Sequence, residues 1–272
     1  MSKLVIIQSV YKNDKPEYLS ESITSILNQS YADFVYYVGV DGPIGEELRV
    51  VLNSFKDKRI RIYENKINKG LACILNDLLV ECKNGGFEYI ARMDSDDISK
   101  LDRFGKQISF LESHKDVDLV GGAINEINDA GNDRGKTVYY PCNMDECRRF
   151  FMKRNPVAHP TVMFRRSFFE KAGWQYPTDF ERNEDTRLWH EGYKHGCVIT
   201  NISDVVLNYR VTDEMFKQRR NGKAFAKSQL ELRLLIKKEL GYGIKADVYA
   251  YAMFLLMISP SWMLKIAYKI LR

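Results

Sequence analysis

The run Phe87-Glu88-Tyr89-Ile90-Ala91-Arg92-Met93-Asp94-Ser95-Asp96-Asp97 decides the fold. Its first part, Phe87–Arg92, reads as a buried strand. It then stops at three carboxylates within four residues. Like charges so close must be solvated, paired with a cation or shared by a metal. Two readings stand on the residues alone. One is an Asp-rich turn in which Asp97 or Ser99 caps a helix starting near Leu101. The other is a site for a hard divalent cation, Mg²⁺ or Mn²⁺, which takes carboxylate oxygens and leaves positions for phosphate oxygens.

Strands and helices alternate outward from this run. Leu4–Ile7, Phe34–Val40, Arg59–Tyr63 and Asp118–Gly121 are strand-like. Leu19, Ile23, Ile26 and Leu27 recur at helical spacing, as do Leu71, Ile74, Leu75, Leu78 and Leu79, and Phe104, Ile108 and Leu111. This pattern predicts an α/β fold: a Rossmann-like, mainly parallel sheet with helices on both faces. Ligands of such sheets bind at the carboxyl ends of strands. Asp41 and the acidic run both fall at those ends. Farther on, Thr137–Tyr140, Thr161–Phe164 and Val205–Arg210 are expected strands, and Met144–Lys153 and Glu184–His195 expected helices.

The chain has 272 residues, 45% hydrophobic and 28% charged, which is ordinary for a globular protein and excludes a disordered or collagen-like chain. Five cysteines without a Cys-x-x-Cys argue against a zinc site or a disulfide framework, and for reduced thiols in the cytoplasm. No signal peptide is expected, because the apolar run Leu4–Ile7 is too short for one. The net charge of +5 is unevenly placed: residues 214–272 carry +8 and the rest −3. Val248–Ile258 is nearly all apolar, Ser259-Pro260-Ser261 interrupts it, and Trp262–Leu271 resumes with Lys265 and Lys269. An 11-residue run falls short of the roughly 20 residues that span a bilayer. Apolar faces with aromatic and basic flanks suit helices lying on a membrane surface. Packing on the protein's own core, or on a partner chain, is the other reading. The aromatics lie in apolar runs rather than on a basic stacking surface, so no nucleic-acid partner is expected.

The motifs, taken in order, resemble the family 2 glycosyltransferases, whose fold is GT-A. Val5–Tyr11 resembles the family's first strand and loop, and Tyr18 to Tyr31 its first helix. Val40-Asp41-Gly42-Pro43 is similar to its acidic turn, with Val40 replacing the first Asp. Asn68-Lys69-Gly70-Leu71-Ala72, with Asn76, resembles its Asn-x-Gly helix start. Ile90–Ser99 resembles its Asp-x-Asp segment. Asn155–Arg166, with His159, and Glu184-Asp185 followed by Leu188-Trp189 resemble its later motifs, and the similarity ends at Tyr209-Arg210. The chain departs from the pattern at Leu101, where many members have Pro, and at Val211-Thr212-Asp213, where a His is often found. No Gln-x-x-Arg-Trp motif of processive synthases is present.

The resemblance implies an inverting, metal-dependent transfer from a nucleotide sugar, the UDP class expected, to a hydroxyl of a glycan or lipid-linked sugar in surface polysaccharide synthesis. Asp96 is the expected principal metal ligand. Asp94 is expected to reach the metal through water or to hold the ribose. Ser9, Val10 and Tyr11 would line the nucleotide pocket and Asp41 would bond the base. Lys69, Asn76, Arg92 and Ser95 complete the expected donor site. Inversion needs a base on the face opposite the leaving group. Asp185 is the candidate and Glu184 the second, with His159 and Trp189 expected at the acceptor. Residues 1–212 would form the catalytic domain, split near 121 into donor and acceptor halves. Residues 213–272 would form a helical extension that holds the protein on the inner face of the cell membrane. A nucleotidyltransferase is a rival, although Gln8–Lys12 contains no glycine for a phosphate loop. A non-catalytic sugar-nucleotide-binding relative is another.

Overall fold

The computed structural model describes residues 2–180, 182–212 and 223–259. The expected second apolar run, Trp262–Leu271, lies outside them. One sheet organises the chain. Its first half is parallel: β1 (Leu4–Val10) lies between β2 (Phe34–Val40) and β4 (Tyr89–Met93), and β3 (Ile60–Glu64) borders β2. The helices α1 (Pro16–Leu27), α2 (Glu46–Ser54) and α3 (Leu71–Gly85) connect these strands. Pro16 starts α1, where its fixed φ fits a first helical turn. Gly86 ends α3 in the left-handed conformation, at φ 68°.

The second half mixes directions. After β5 (Ile98–Ser99) and α4 (Arg103–Ser113), β6 (Leu119–Ile127) runs along the sheet, and β7 (Asp133–Val138) pairs antiparallel to it. Beyond α5 (Met144–Phe151), the short β8 (Met163–Arg165) inserts antiparallel between β4 and β6. Then come α6 (Arg166–Ala172), α7 (Glu184–Lys194) and β9 (Ile199–Arg210), which pairs parallel with β6 and antiparallel with β5. The strand expected over 161–164 begins instead with a 3₁₀ turn at His159–Thr161.

Helices cover both faces. One core holds Leu19, Ile23, Leu48 and Phe104 from α1, α2 and α4. The other holds Leu75 and Leu79 from α3, Phe168 and Phe169 from α6, and Leu188 and Trp189 from α7. Two further helices, α8 (Lys223–Leu240) and α9 (Ile244–Ile258), follow. Leu230, Leu234 and Leu235 would give α8 one apolar face by spacing, but Ala226, Leu232 and Ile236 are the residues buried. Leu232 and Ile236 fit the cluster around Trp189, which leaves the three leucines half-buried beside it.

Strand order 3-2-1-4 makes the chain change direction between β1 and β4, so a crevice opens at their carboxyl ends. Gly39 sets the spacing beside it, since a Cβ there would lie 2.6 Å from Ile74 Cγ1 of α3. Gly39→Ala is expected to cost about 1–3 kcal/mol by overpacking, read as a lower urea midpoint with an unchanged slope.

Candidate active site

The crevice gathers residues from distant parts of the sequence. β1 ends at Ser9 and Tyr11, β2 at Asp41, and β4 at Asp94 to Asp97. Ser9 is half-buried and Tyr11 is exposed. The side chain of Val10 is fully buried in the core, so Val10 meets the crevice only through its backbone. Asp41 is also buried: Oδ1 accepts from the Lys69 amide at 2.8 Å and Oδ2 from the Gly70 amide at 2.8 Å. It pins the 68–70 turn, which leaves the Lys69 side chain exposed. Asn76 does not face the donor crevice. Its amide clasps the backbone of Tyr176, with Nδ2 donating to the carbonyl at 3.0 Å and Oδ1 accepting from the amide at 2.6 Å.

The acidic run surrounds a buried guanidinium. Arg92 binds both carboxylate oxygens of Asp94, through Nη1 at 2.6 Å to Oδ2 and through Nη2 to Oδ1. Its Nε has no partner. Asp97 is wholly buried: Oδ1 accepts from the Arg210 amide at 2.8 Å, and Oδ2 is unpartnered. Burial, then Asp96 and Asp94, pushes the Asp97 carboxyl well above the usual range. Oxygens of Asp94, Asp96 and Asp97 all lie within 4.8 Å of one another. An all-carboxylate donor set with an orphaned buried oxygen fits Mg²⁺ or Mn²⁺. Arg210 ties down the loop from behind, its Nε donating to the Asp96 carbonyl at 2.8 Å.

Asp14 was not expected here. Its Oδ2 accepts from the Tyr11 amide at 3.0 Å, and the Ser95 hydroxyl bonds it as well. Burial, with Asp96 and Asp94 nearby, pushes its carboxyl up to about 7. Nothing in the local sequence marks it, because Ser95 and Asp96 are some 80 residues away.

A second acidic pair approaches from α7. Glu184 and Asp185 form its first turn, where carboxylates are favoured by the helix dipole. Asp185 Oδ1 accepts from the Thr186 amide at 2.6 Å, and Oδ2 accepts from Asn155 Nδ2 at 2.9 Å. Burial first raises both carboxyls; Asp185 comes next for Glu184, and Arg92 opposes the rise in both. One guanidinium therefore acts on both acidic groups.

His159 packs behind this pair, with Nε2 3.1 Å from the Tyr176 hydroxyl. Burial and then Arg92 hold its imidazole well below its usual pKa, hence neutral. Trp189 differs from its expected place at the acceptor. It is fully buried, meets His159 edge-on at 5.8 Å between centroids, and offers no ring face to a sugar. The Leu188-Trp189 spacing serves the core.

Comparison with known proteins agrees with this arrangement. The family model "Glycosyl transferase family 2" matches residues 5–173. The "Amylovoran biosynthesis glycosyltransferase AmsE" of Erwinia amylovora is 32% identical over 269 residues, covering 97% of both chains. An Escherichia coli protein named "UDP-Gal:alpha-D-GlcNAc-diphosphoundecaprenol beta-1,3-galactosyltransferase" is 28% identical over 230 residues, 84% of this chain and 81% of that one. The structure of S. aureus TarS 1-349 in complex with UDP-GlcNAc superimposes with a TM-score of 0.66 at 17% identity, over 94% of this chain and 72% of that one. That likeness shows a shared GT-A fold. With the acidic strand end, the Glu-Asp helix start and the matched span in agreement, the chain belongs to glycosyl transferase family 2.

Proposed function

We propose that this glycosyltransferase moves a sugar from a UDP-sugar to a hydroxyl of a lipid-linked glycan in surface polysaccharide synthesis, with inversion. The observation that carries the reading is the pairing of two acidic groups across Arg92: a cation-binding set at the end of β4 and a base pair at the start of α7. The UDP-GlcNAc complex of TarS and the name of the E. coli galactosyltransferase support the donor and acceptor classes.

Asp96 and Asp97, with Asp94, would hold Mn²⁺ or Mg²⁺, which when bound supplies positive charge for a diphosphate leaving group. Ser9, Tyr11 and Ser95 line the crevice in which the nucleotide would lie. Asp41 holds the 68–70 turn at its border, and Lys69 reaches out from that turn. Asp185 takes the proton from the acceptor hydroxyl, with Glu184 beside it. A raised pKa helps a carboxylate accept a proton near neutrality. His159 stays neutral and shapes the acceptor side through Tyr176. Residues 1–212 would be the catalytic unit, its donor half ending near 121.

The membrane reading draws on α9. Ile244, Val248, Tyr251, Leu255 and Ile258 are all exposed, and their alternating spacing of four and three puts them on one face. Ala246 and Ala250 are buried on another. No described helix is long and apolar enough to cross a membrane. With Lys265, Lys269 and Arg272 following in sequence, α9 suits the inner leaflet, where each nearby cation is worth about 1 kcal/mol.

UDP release from a panel of UDP-sugars, with a short-chain lipid-diphosphate sugar as acceptor, tests the reaction. Asp185→Asn is expected to lower kcat by about 10²–10⁴-fold. Unchanged turnover in that folded variant would refute the base. Mn²⁺ is expected to raise the melting temperature of the parent protein and not of Asp96→Ala; equal shifts would remove Asp96 from the metal site. A chain ending at residue 243 is expected to stay in the supernatant when anionic vesicles sediment, while the full chain pellets.

A further inference from the structure

The family match ends at residue 173, so α7 and the helix that braces it both lie beyond it. α8 holds α7 at both ends. At the start, Gln229 Nε2 donates to Asn183 Oδ1, on the residue before Glu184. At the end, Glu239 pairs with Lys194 at 2.9 Å and lies 3.3 Å from His190 Nε2. Between them, Leu232 and Ile236 share one apolar cluster with Leu188 and Trp189.

Arg233 lies one helical turn after Gln229, on the face turned to α7. Its Nη1 donates to the Phe151 carbonyl at 2.9 Å, and its guanidinium lies 5.8 Å from the Phe151 ring centroid. Among the described residues it forms no ion pair within 4 Å, yet its charge acts on Asp185. The charged and titratable groups facing Asp185 are Glu184 on its own helix, Arg92 from β4, Tyr176 from the loop before α7, and Arg233 from α8. Arg92 is already bound to Asp94 through two bonds. Asn155 and Thr186 supply hydrogen bonds but no charge.

We propose that Arg233 is a positioning residue for the reaction, a cation delivered by the C-terminal helix that keeps the Asp185 carboxylate ionised where it must accept a proton. This rests on the reading of Asp185 as the base. It makes α8 part of the catalytic apparatus. The sign follows from charge: a nearby cation favours the carboxylate, so losing it moves protonation of Asp185 to higher pH.

The test compares the full chain with Arg233→Gln, Arg233→Lys and Asp185→Asn. UDP release is measured against pH with saturating donor and Mn²⁺. For Arg233→Gln, the acidic limb of the profile is expected to move to higher pH. Turnover falls several-fold at the acidic end and stays within about twofold on the alkaline plateau. Arg233→Lys restores the parental limb. A profile for folded Arg233→Gln that superimposes on the parent overturns the proposal, as does an equal loss at every pH in both Arg233 variants. Should Arg233→Gln not fold, Arg233→Met keeps the apolar stem and is read the same way. Selective ¹³C-aspartate labelling, assigned through Asp185→Asn, follows the titration directly whether or not an acceptor is turned over. Full activity in Asp185→Asn defeats the base assignment. An inactive Asp185→Asn beside an unshifted Asp185 resonance in Arg233→Gln defeats this inference alone.

Discussion

A single buried guanidinium makes the acidic site possible. Asp94, Asp96, Asp97, Asp14, Glu184 and Asp185 would repel one another in a partly desolvated crevice. Arg92 stands among most of them, bonded to Asp94 and acting on Asp97, Glu184 and Asp185. Its backbone is fixed as well: its amide donates to the Val162 carbonyl at 3.0 Å, and its carbonyl accepts from Arg103 Nη2 at 2.9 Å. Breaking a buried pair of this kind leaves an uncompensated charge, at about 3–5 kcal/mol. The pair thus serves geometry as much as energy. It keeps a strand end acidic enough for a cation without letting it fly apart.

The compensation is incomplete. Asp97 Oδ2 remains unpartnered, and burial raises the carboxyls of Asp14 and Asp97. A fold selected for stability alone would replace such groups. Their persistence at the carboxyl ends of β1 and β4, where this topology opens a crevice, agrees with a site that awaits positive charge. Arg210 and Arg103 act from behind by fixing backbone carbonyls, which leaves the carboxylates turned toward the crevice side.

The parallel half was legible because buried strands read as continuous apolar runs and their helices as clear stripes. The antiparallel insertion of β8 was not. Three residues carry no periodicity, and register depends on partners 45 and 75 residues away. Within the site, motif order identified Asp94, Asp96 and Asp185 as candidates but could not show where a side chain points. Hence Asn76 clasps Tyr176 rather than facing a donor, and Trp189 lies in the core. Asp14, Asn155, Tyr176 and Arg233 escaped notice for the converse reason. Their significance comes from contacts across the fold, and their local sequence is ordinary.

The C-terminal helices join the two proposed roles of the chain through one element. One face of α8 grips α7, while α9 packs against it through the small residues Ala246 and Ala250 and through the 2.9 Å pair Lys237–Asp247. A surface that bears on the exposed stripe of α9 therefore bears on α8, two contacts away from Asp185. Small residues allow close approach, and closely packed helices move as one body more readily than they slide. Seating α9 on a bilayer would fix the orientation of the Asp185 side relative to the leaflet from which a lipid-linked acceptor rises. The same helix pair would then supply both the address and part of the electrostatics, a division of labour that a detachable anchor could not provide.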